Sequence, residues 1–330
     1  MTAPTTDPAH LAVDFYRVQA LRGRAVANSV QRTWRSADRS DLTGWFEVHY
    51  SDFTRPILDA MIASAFAAQQ YVAAQAEEQG YAPPGAEVDP EGFAIDPEAA
   101  AAMAYSVTVL QTKAAVLQGI AVSIAQNVAT RSLVRLATTL VADAGREATQ
   151  AAMTGSGFDG YVRMLQLPSC PRCAVQAGKW FRWNTGFERH PGCDCVHVPA
   201  AESRVGDLRV DPLAAIRAGK VRGLSKADTQ AILDGADVSQ VINAHRGMAT
   251  SDVFGRTLKT TTEGVTRRGL AHQSMAQARY VARQGEMKRA GTRYREWRSA
   301  RLTPSAIYDV AENKADALRL LRLYGYIRPE

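Results

Sequence analysis

Cysteine is concentrated in one short segment of this chain. All four cysteines lie between Cys170 and Cys195, and the rest of the 330-residue sequence contains none. Cys170 and Cys173 form a C-x2-C pair, the second half of the segment supplies His190, Cys193 and Cys195, and His197 follows two residues beyond it. Zinc prefers thiolate and imidazole ligands in a tetrahedron, and a two-residue gap lets both thiolates bind one ion from a tight turn. The clustering therefore predicts a local metal site or two local disulfides.

The ligand spacing favours zinc over disulfides. We expect Cys170, Cys173 and Cys193 to bind the ion, with either Cys195 or His190 as the fourth ligand. Four protein ligands leave zinc no open position for water, so the predicted ion is structural. Disulfides remain an alternative, although nothing in the sequence indicates an oxidising compartment. A cysteine nucleophile is a further alternative, but a metal-bound thiolate cannot also attack a substrate freely.

A second segment is strongly basic. Between Arg256 and Arg301 there are twelve lysines or arginines and three acidic residues, a net charge of +9; the whole chain carries +6, which leaves −3 for the remainder. Such a run attracts DNA phosphates without regard to sequence, and it can equally bind an acidic protein surface or serve as a solvated linker. The interleaved Tyr280, Tyr294 and Trp297 can stack on bases. The candidate polyanion- or partner-binding residues are Arg267, Arg268, Arg279, Arg283, Lys288, Arg289, Arg293, Arg295 and Arg298.

Signatures of proteolysis are missing or weak. The sequence has no G-x-S-x-G elbow and no H-E-x-x-H helix. His49, with Ser51 and Asp52 nearby, is a candidate for serine chemistry by composition alone, and a surface or core histidine is the commoner explanation. His245 and His272 lie in polar surroundings without evident partners. We therefore expect binding rather than catalysis, with enzymatic activity left open.

Periodic apolar positions predict that residues 10–152 are helical and form a bundle core. One stripe comprises Leu58, Met61, Ile62, Ala65, Phe66, Val72 and Ala73, and a second comprises Leu117, Ile120, Ile124, Val128, Leu133, Leu136, Ala137 and Leu140. The aromatic run 45–53 is compatible with a short strand or a helix start. Residues 80–97 contain four prolines and three glycines, which predicts a long loop.

The sequence of the second half of the chain predicts shorter helices and strands. The Val, Trp, Phe and Tyr content of the cysteine segment predicts a few short strands around the ion. Helix-start signals occur at Ser225 with Asp228, at Thr303 with Pro304, and at Asn313. Residues 256–291 have few large apolar side chains, so we expect them to be extended or mobile.

These patterns together predict a mainly α (α+β) chain. We expect a helical N-terminal domain (1–153), a small zinc-knuckle module with short strands (154–200), and a basic C-terminal region of short helices (201–330).

The N-terminus lacks the basic start and apolar stretch of a secretory signal. The apolar windows 61–74 and 114–129 are interrupted by Gln, Ser or Asn before the ~20 residues that a bilayer crossing requires. A cytosolic product with no membrane partner is therefore expected.

The cysteine segment carries a family resemblance. The run from Tyr161 to Pro199, above all C-P-R-C-A-V-Q-A-G-K-W-F-R-W-N-T-G-F-E-R-H-P-G-C-D-C, resembles the MuF-type head morphogenesis module of tailed bacteriophages. It is similar in particular to minor capsid proteins of actinobacterial phages, as are residues 231–248 and 318–327. Many MuF-type modules end in H-P-x-C-R-C, whereas Asp194 stands here in place of the arginine. That difference keeps the ligand set and weakens the case for anion binding at this position.

The resemblance implies a structural minor capsid protein of the virion. It would act in head (procapsid) assembly at the portal or the inner capsid surface, after synthesis in the host cytoplasm. The implied partners are the portal, scaffold or major capsid protein, with double-stranded genome DNA as a further candidate. One alternative is a serine-type capsid maturation protease, since such genes often lie beside the portal gene. Another alternative is a zinc-stabilised nucleic-acid-binding protein from a different context.

Overall fold

A computed structural model describes residues 7–85, 87–185, 195–202, 211–253, 255–266, 268–277, 286–287, 296–297 and 300–328. Contacts between residues divide the chain into two compact units. The N-terminal unit comprises Met1–Gln166 and Ala177–Val210, and the C-terminal unit comprises Leu167–Gln176 and Asp211–Glu330. The finer division into three domains stays a prediction. The mainly helical α+β fold is confirmed, with two small three-stranded sheets among the described residues.

The N-terminal unit is built on three long helices. These are α1 (Pro8–Arg35), α2 (Leu42–Gln79) and α5 (Val122–Thr154). Between α2 and α5 lie a 3-10 turn (Pro90–Phe93), α3 (Pro97–Tyr105), a π-helical turn (Ser106–Leu110) and α4 (Gln111–Leu117). Trp34, Phe53, Ile57 and Leu133 are fully buried where the long helices meet. Burial of such side chains contributes about 1.5–3 kcal/mol each, so this contact is the main core of the unit.

Local signals determine where these helices begin and end. The carboxylates of Asp7, Asp41 and Asp96 accept backbone N–H groups in the first turns of α1, α2 and α3. Helix α2 ends at Gly80, whose φ of 73° suits glycine. The aromatic run 45–53 lies inside α2, and Phe46 stacks on Phe53 with ring centroids 5.4 Å apart. Residues seven positions apart share one face of a helix, which explains this pairing.

The second predicted apolar stripe is only partly in the core. Leu117, Ile124 and Val128 are 88%, 58% and 41% exposed, respectively, so the prediction that they form core is wrong. The first turns of α5 instead bury Ala125 and Ala129. Ile124 with Val128 and Ala125 with Ala129 are each four residues apart. Periodicity therefore does not predict which of these two adjacent apolar faces is buried. The small alanines allow closer helix packing, and the larger side chains remain outside.

A three-stranded antiparallel sheet completes the N-terminal unit. Its strands are β1 (Gly160–Met164), β2 (Trp180–Arg182) and β3 (Val196–Pro199), in the order β2-β1-β3. Tyr161, Val162 and Val198 share a buried cluster with Ala12 of α1 and Met153 of α5. The predicted short strands are thus present, and they pack on the long helices.

The C-terminal unit consists of short elements. Its helices are α6 (Pro171–Gln176), α7 (Pro212–Arg217), α8 (Lys226–Leu233), α9 (Val238–Asn243), α10 (Leu270–Gln277), α11 (Pro304–Val310) and α12 (Lys314–Leu323). Its strands are β4 (Met248–Val253), β5 (Arg256–Thr261), β6 (Glu286–Met287), β7 (Glu296–Trp297) and β8 (Arg301–Leu302). Strands β4, β5 and β8 form one antiparallel sheet, and β6 pairs with β7.

The predicted helix starts in this unit are confirmed. Ser225 and Asp228 form a capping box at α8, Thr303 caps α11, and Asn313 caps α12. The expectation that residues 256–291 are extended holds for β5. It is wrong for α10, whose Ala271 and Met275 are buried. Small side chains with one well-placed methionine are enough to bury one face of this short helix.

A buried arginine connects distant parts of the C-terminal unit. The Arg301 guanidinium donates hydrogen bonds to the carbonyl oxygens of Tyr324 (2.9 Å) and Glu263 (2.8 Å) and to Oε1 of Gln240 (3.1 Å). It also lies 4.1 Å from the centroid of the Tyr326 ring. Burial lowers the pKa of Arg301 from its usual value, but a guanidinium keeps its proton in proteins. These contacts hold four segments of the chain around one charge.

Two helical stretches of the described chain are long and apolar enough to cross a membrane, judged by length and composition. They are Leu42–Gln79 and Pro90–Leu117, and their most apolar windows are 44% and 28% buried. The core helix of a soluble protein passes the same test, so these stretches are weak evidence for a span. The expectation of no membrane partner stays a prediction.

Candidate metal centre

The C-x2-C pair forms the first turn of helix α6. The backbone N–H of Cys173 donates to Sγ of Cys170 at 3.3 Å, and the N–H of Ala174 donates to the Cys170 carbonyl oxygen at 3.1 Å. Cys173 is fully buried and Cys170 is partly exposed. A backbone N–H directed at sulfur favours a negatively charged thiolate, which is the form that binds metal. The turn therefore has the chemistry of one half of a tetrahedral zinc site.

The chain just before this turn is held by backbone hydrogen bonds within the C-terminal unit. The N–H of Ser169 donates to the Lys220 carbonyl oxygen (2.9 Å), and the N–H of Arg222 donates to the Ser169 carbonyl oxygen (2.8 Å). The Arg222 guanidinium also donates to the Pro168 carbonyl oxygen at 2.9 Å. The backbone position of Cys170, at the start of the turn, is therefore fixed by these hydrogen bonds.

Cys195 and His197 belong to the other half of the cysteine segment. Cys195 directly precedes β3 and His197 lies within it, and both are buried. The His197 ring stacks on the Tyr161 ring with centroids 4.2 Å apart. Side chains two residues apart along an extended chain point to the same side, so these two residues are positioned together by β3.

A polar ladder on helix α2 fixes the edge of β3. The Tyr71 hydroxyl donates to the His197 carbonyl oxygen (2.9 Å), and Nε2 of Gln79 donates to the Pro199 carbonyl oxygen (2.7 Å). Gln75 lies between them and donates to the Tyr71 oxygen at 3.2 Å. Burial raises the pKa of Tyr71, so its hydroxyl stays protonated and available as a donor. The edge carbonyls of β3 are thus satisfied by side chains of a single helix face.

Sequence reasoning missed this ladder. Its only local signal is the spacing Y-x3-Q-x3-Q at positions 71, 75 and 79, which places three polar side chains on one helix face. Polar residues with helical spacing usually mark a solvated face, and nothing in the spacing identifies a strand as the partner.

A cavity of about 280 Å³ lies where α1 and α5 meet the start of β3. Gly23 and Gly145 line it, and a Cβ at Gly145 would overlap the Gln19 side chain. Arg146 donates from Nε to the Cys195 carbonyl oxygen at 3.3 Å and pairs with Asp143 at 3.1 Å. Arg146, the basic residue that contacts the backbone of Cys195, therefore comes from helix α5, about fifty residues earlier in the chain.

The complete predicted ligand set is not brought together by the described residues. Across those residues, no group of three or more His, Cys, Asp or Glu side chains is close enough to hold a metal ion. His190 and Cys193 lie outside the described residues, and Cys170 with Cys173 belongs to a different unit from Cys195. The donors that are described fit zinc by type, and the four-ligand site remains a prediction.

The candidate polyanion-binding residues lie almost entirely outside the described residues. Arg268 alone is described; it is exposed, and its carbonyl oxygen accepts from Nε2 of Gln273 at 3.5 Å. The eight that fall outside are Arg267, Arg279, Arg283, Lys288, Arg289, Arg293, Arg295 and Arg298. Binding by this segment stays a prediction from composition.

The histidines that the sequence offered for catalysis have other roles in the described structure. His49 Nδ1 lies 2.8 Å from the Trp45 carbonyl oxygen, and its ring stacks on the Trp45 ring. Ser51 is two residues further along the same helix, so its side chain faces away from His49. These residues therefore do not form a serine–histidine pair within α2.

His245 has a partner in the folded protein that was not evident from the sequence. Its Nε2 lies 3.0 Å from Oδ2 of Asp228, and the Ser225 hydroxyl donates to the same oxygen at 2.6 Å. A catalytic triad requires histidine between serine and carboxylate. Here both groups meet the carboxylate instead, so the cluster stabilises the start of α8.

Comparisons of this chain with protein-family models, with curated proteins and with solved structures give no match.

Proposed function

We propose that this protein is a structural minor capsid protein of a tailed phage. It acts in head assembly at the portal or the inner capsid surface, and a zinc ion stiffens its cysteine segment. The observation that carries the proposal is the C-x2-C turn at Cys170 and Cys173, with its N–H···S hydrogen bond. This turn begins the C-P-R-C motif within the run from Tyr161 to Pro199 that resembles MuF-type modules.

Zinc would give the segment a stability that its own core cannot supply. Cys170, Cys173 and Cys193 would bind the ion, with Cys195 or His190 as the fourth ligand. Short segments of this kind gain folding free energy from the metal, because the site does not exist in the unfolded chain. With four protein ligands the ion has no open position, so its role is to hold structure rather than to activate water.

The proposed work is binding, and the helical scaffold supports that choice. The long helices α1, α2 and α5 present extended surfaces, and exposed apolar residues such as Leu117 and Ile124 are available to a partner. The protease alternative depends on a serine–histidine pair, and the described surroundings of His49 do not favour one.

The direct test is incorporation into procapsids. The full chain is expressed with portal, scaffold and major capsid protein, and purified particles are analysed by quantitative mass spectrometry. We expect a defined number of copies per particle for the wild type and for Arg172→Ser, an exposed non-ligand change in the same turn. The double change Cys170→Ser with Cys173→Ser is expected to reduce incorporation. Absence of the wild-type chain from both procapsids and virions contradicts the capsid function.

Double-stranded DNA is a second candidate partner, supported by the +9 charge between Arg256 and Arg301. Neutralising several phosphates releases counterions, so affinity should fall steeply as salt rises. Filter binding of the full chain to DNA across a salt series measures this slope. A flat dependence on salt excludes phosphate binding and leaves two alternatives for the segment, an acidic protein surface as its partner or a solvated linker.

A further inference from the structure

The N-terminal unit carries a strongly acidic stretch. From Asp41 to Thr112 there are eleven aspartates or glutamates and one basic residue, Arg55, which gives a net charge of −10. The chain as a whole carries +6, so opposite charges are separated along the sequence. A surface of this kind attracts cationic partners, most strongly at low salt.

Within this stretch, an open cleft of about 540 Å³ lies between the N-terminal part of α2 and helix α3. Phe46 and Tyr105 line it and meet edge to face with ring centroids 5.2 Å apart. Tyr50, also in the lining, is 47% exposed. The cleft is therefore an aromatic surface that is open to solvent.

Two carboxylates line this acidic cleft. Glu47 and Glu98 both line it, and both are exposed. Neither forms an ion pair with another described residue. Carboxylates beside aromatic faces suit a guanidinium, which can stack on a ring and donate two parallel N–H···O hydrogen bonds to a carboxylate. The chemistry of the acidic cleft thus fits arginine better than an apolar side chain.

The complementary chemistry is present in the same sequence. Residues 279–298 contain seven lysines or arginines and two acidic residues, with Tyr280, Tyr294 and Trp297 between them. We propose that the acidic cleft of one copy of this protein binds the arginine-rich segment 279–298 of a second copy. Such a contact joins two different surfaces, so it is head-to-tail and can propagate into a ring or a chain of copies. This inference does not rest on the proposed capsid function.

The first test measures the segment as a peptide. A labelled peptide with the sequence of residues 279–298 is titrated with the full chain and followed by fluorescence anisotropy. We expect Glu47→Gln with Glu98→Gln to weaken binding at least tenfold. The matched control, Asp52→Asn with Asp59→Asn, removes the same charge from exposed positions of α2 outside the acidic cleft and should weaken binding less than threefold. Equal weakening in both variants shows that the peptide is attracted by the overall negative charge of the acidic stretch. That result overturns binding in the acidic cleft.

The second test uses mixed variants of the full chain. A cleft variant (Glu47→Gln with Glu98→Gln) keeps its segment, and a segment variant (Arg293→Gln with Arg295→Gln) keeps its cleft. We expect each variant alone to stay monomeric in sedimentation velocity at low salt, and an equimolar mixture to form a 1:1 complex that grows no further. The wild type should self-associate with rising concentration and dissociate with rising salt. A wild type that stays monomeric, or a mixture that gives no complex, overturns the proposal.

Discussion

The hydroxyl of Tyr71 in helix α2 donates a 2.9 Å hydrogen bond to the carbonyl oxygen of His197 in strand β3. The two residues are 126 positions apart. Through this bond and the one from Gln79 to Pro199, the longest helix sets the position of the strand that follows Cys195. The backbone that directly follows Cys195, one of the predicted zinc ligands, is thus held by hydrogen bonds from helix α2.

Replacing Tyr71 tests the ladder directly. Tyr71→Phe keeps the ring that stacks on Phe15 and removes the hydroxyl, which leaves a buried carbonyl oxygen without its donor. We expect the free energy of unfolding to fall by about 1–3 kcal/mol in urea denaturation. Tyr50→Phe, at an exposed position of the same helix, should change it by less than about 0.5 kcal/mol. An equal effect of both changes contradicts a role for the ladder.

Replacing Cys170 tests the zinc site. Cys170→Ser should lose the one equivalent of zinc that we expect by elemental analysis of the native protein, and should lower the melting temperature in zinc-containing buffer by about 5 °C or more. Chelation of the wild type should lower its midpoint to a similar value. Arg172→Ser is the matched control and should retain both zinc and midpoint. No zinc in the native protein, or an unchanged midpoint, argues against the site.

Removing the Ser225 hydroxyl should destabilise the C-terminal unit. Ser225→Ala deletes the cap that accepts the Asp228 N–H at 3.0 Å and the hydroxyl that donates to its carboxylate. The expected loss is about 1–2 kcal/mol, measured by chemical denaturation. Ser36→Ala removes an exposed hydroxyl at the end of α1 and should be nearly neutral. If Ser225→Ala leaves the free energy of unfolding unchanged, the contact with His245 alone is enough to hold the Asp228 carboxylate in place.

Arg301 should not tolerate a conservative change. Arg301→Lys keeps the positive charge but cannot reach three separate acceptors from a planar fork, so buried oxygens of Tyr324, Glu263 or Gln240 lose their donor. We expect a loss of about 3 kcal/mol in the free energy of unfolding. The exposed Arg319→Lys, which disturbs only a surface ion pair, should cost less than about 1 kcal/mol. Similar costs for the two changes contradict the bridging role of Arg301.

Asp234 should contribute a pH-dependent part of the stability. Burial raises its pKa, but hydrogen bonds from Gln230, Tyr308 and Lys314 outweigh burial, and the net shift is downward. A lowered pKa in the folded state means that the contribution is complete above the ordinary carboxyl pKa of about 4 and is lost as pH falls below it. The difference in melting temperature between the wild type and Asp234→Asn should therefore shrink between pH 5 and pH 2.5. A difference that stays constant over this range contradicts the assignment.

Many features of this fold could be predicted because their causes are local. The caps at Ser225, Thr303 and Asn313 depend on residues within one turn, so their signals survive in the linear sequence. The helical character of the first half follows from periodicity in the same way. The cysteine cluster is likewise a local pattern, and it identifies the chemistry without the geometry.

Other features were decided only when distant segments met. Periodicity showed that α5 is amphipathic but not that Ala125 and Ala129, rather than Ile124 and Val128, face the core. The Tyr71 ladder depends on an acceptor 126 residues away, and Arg301 satisfies its donors with carbonyl oxygens from three other segments. Sequence alone determined element types, helix ends and candidate metal ligands, because these follow from neighbouring residues. Tertiary structure decided which face is buried and which polar groups pair, because desolvation and hydrogen bonding depend on what packs opposite.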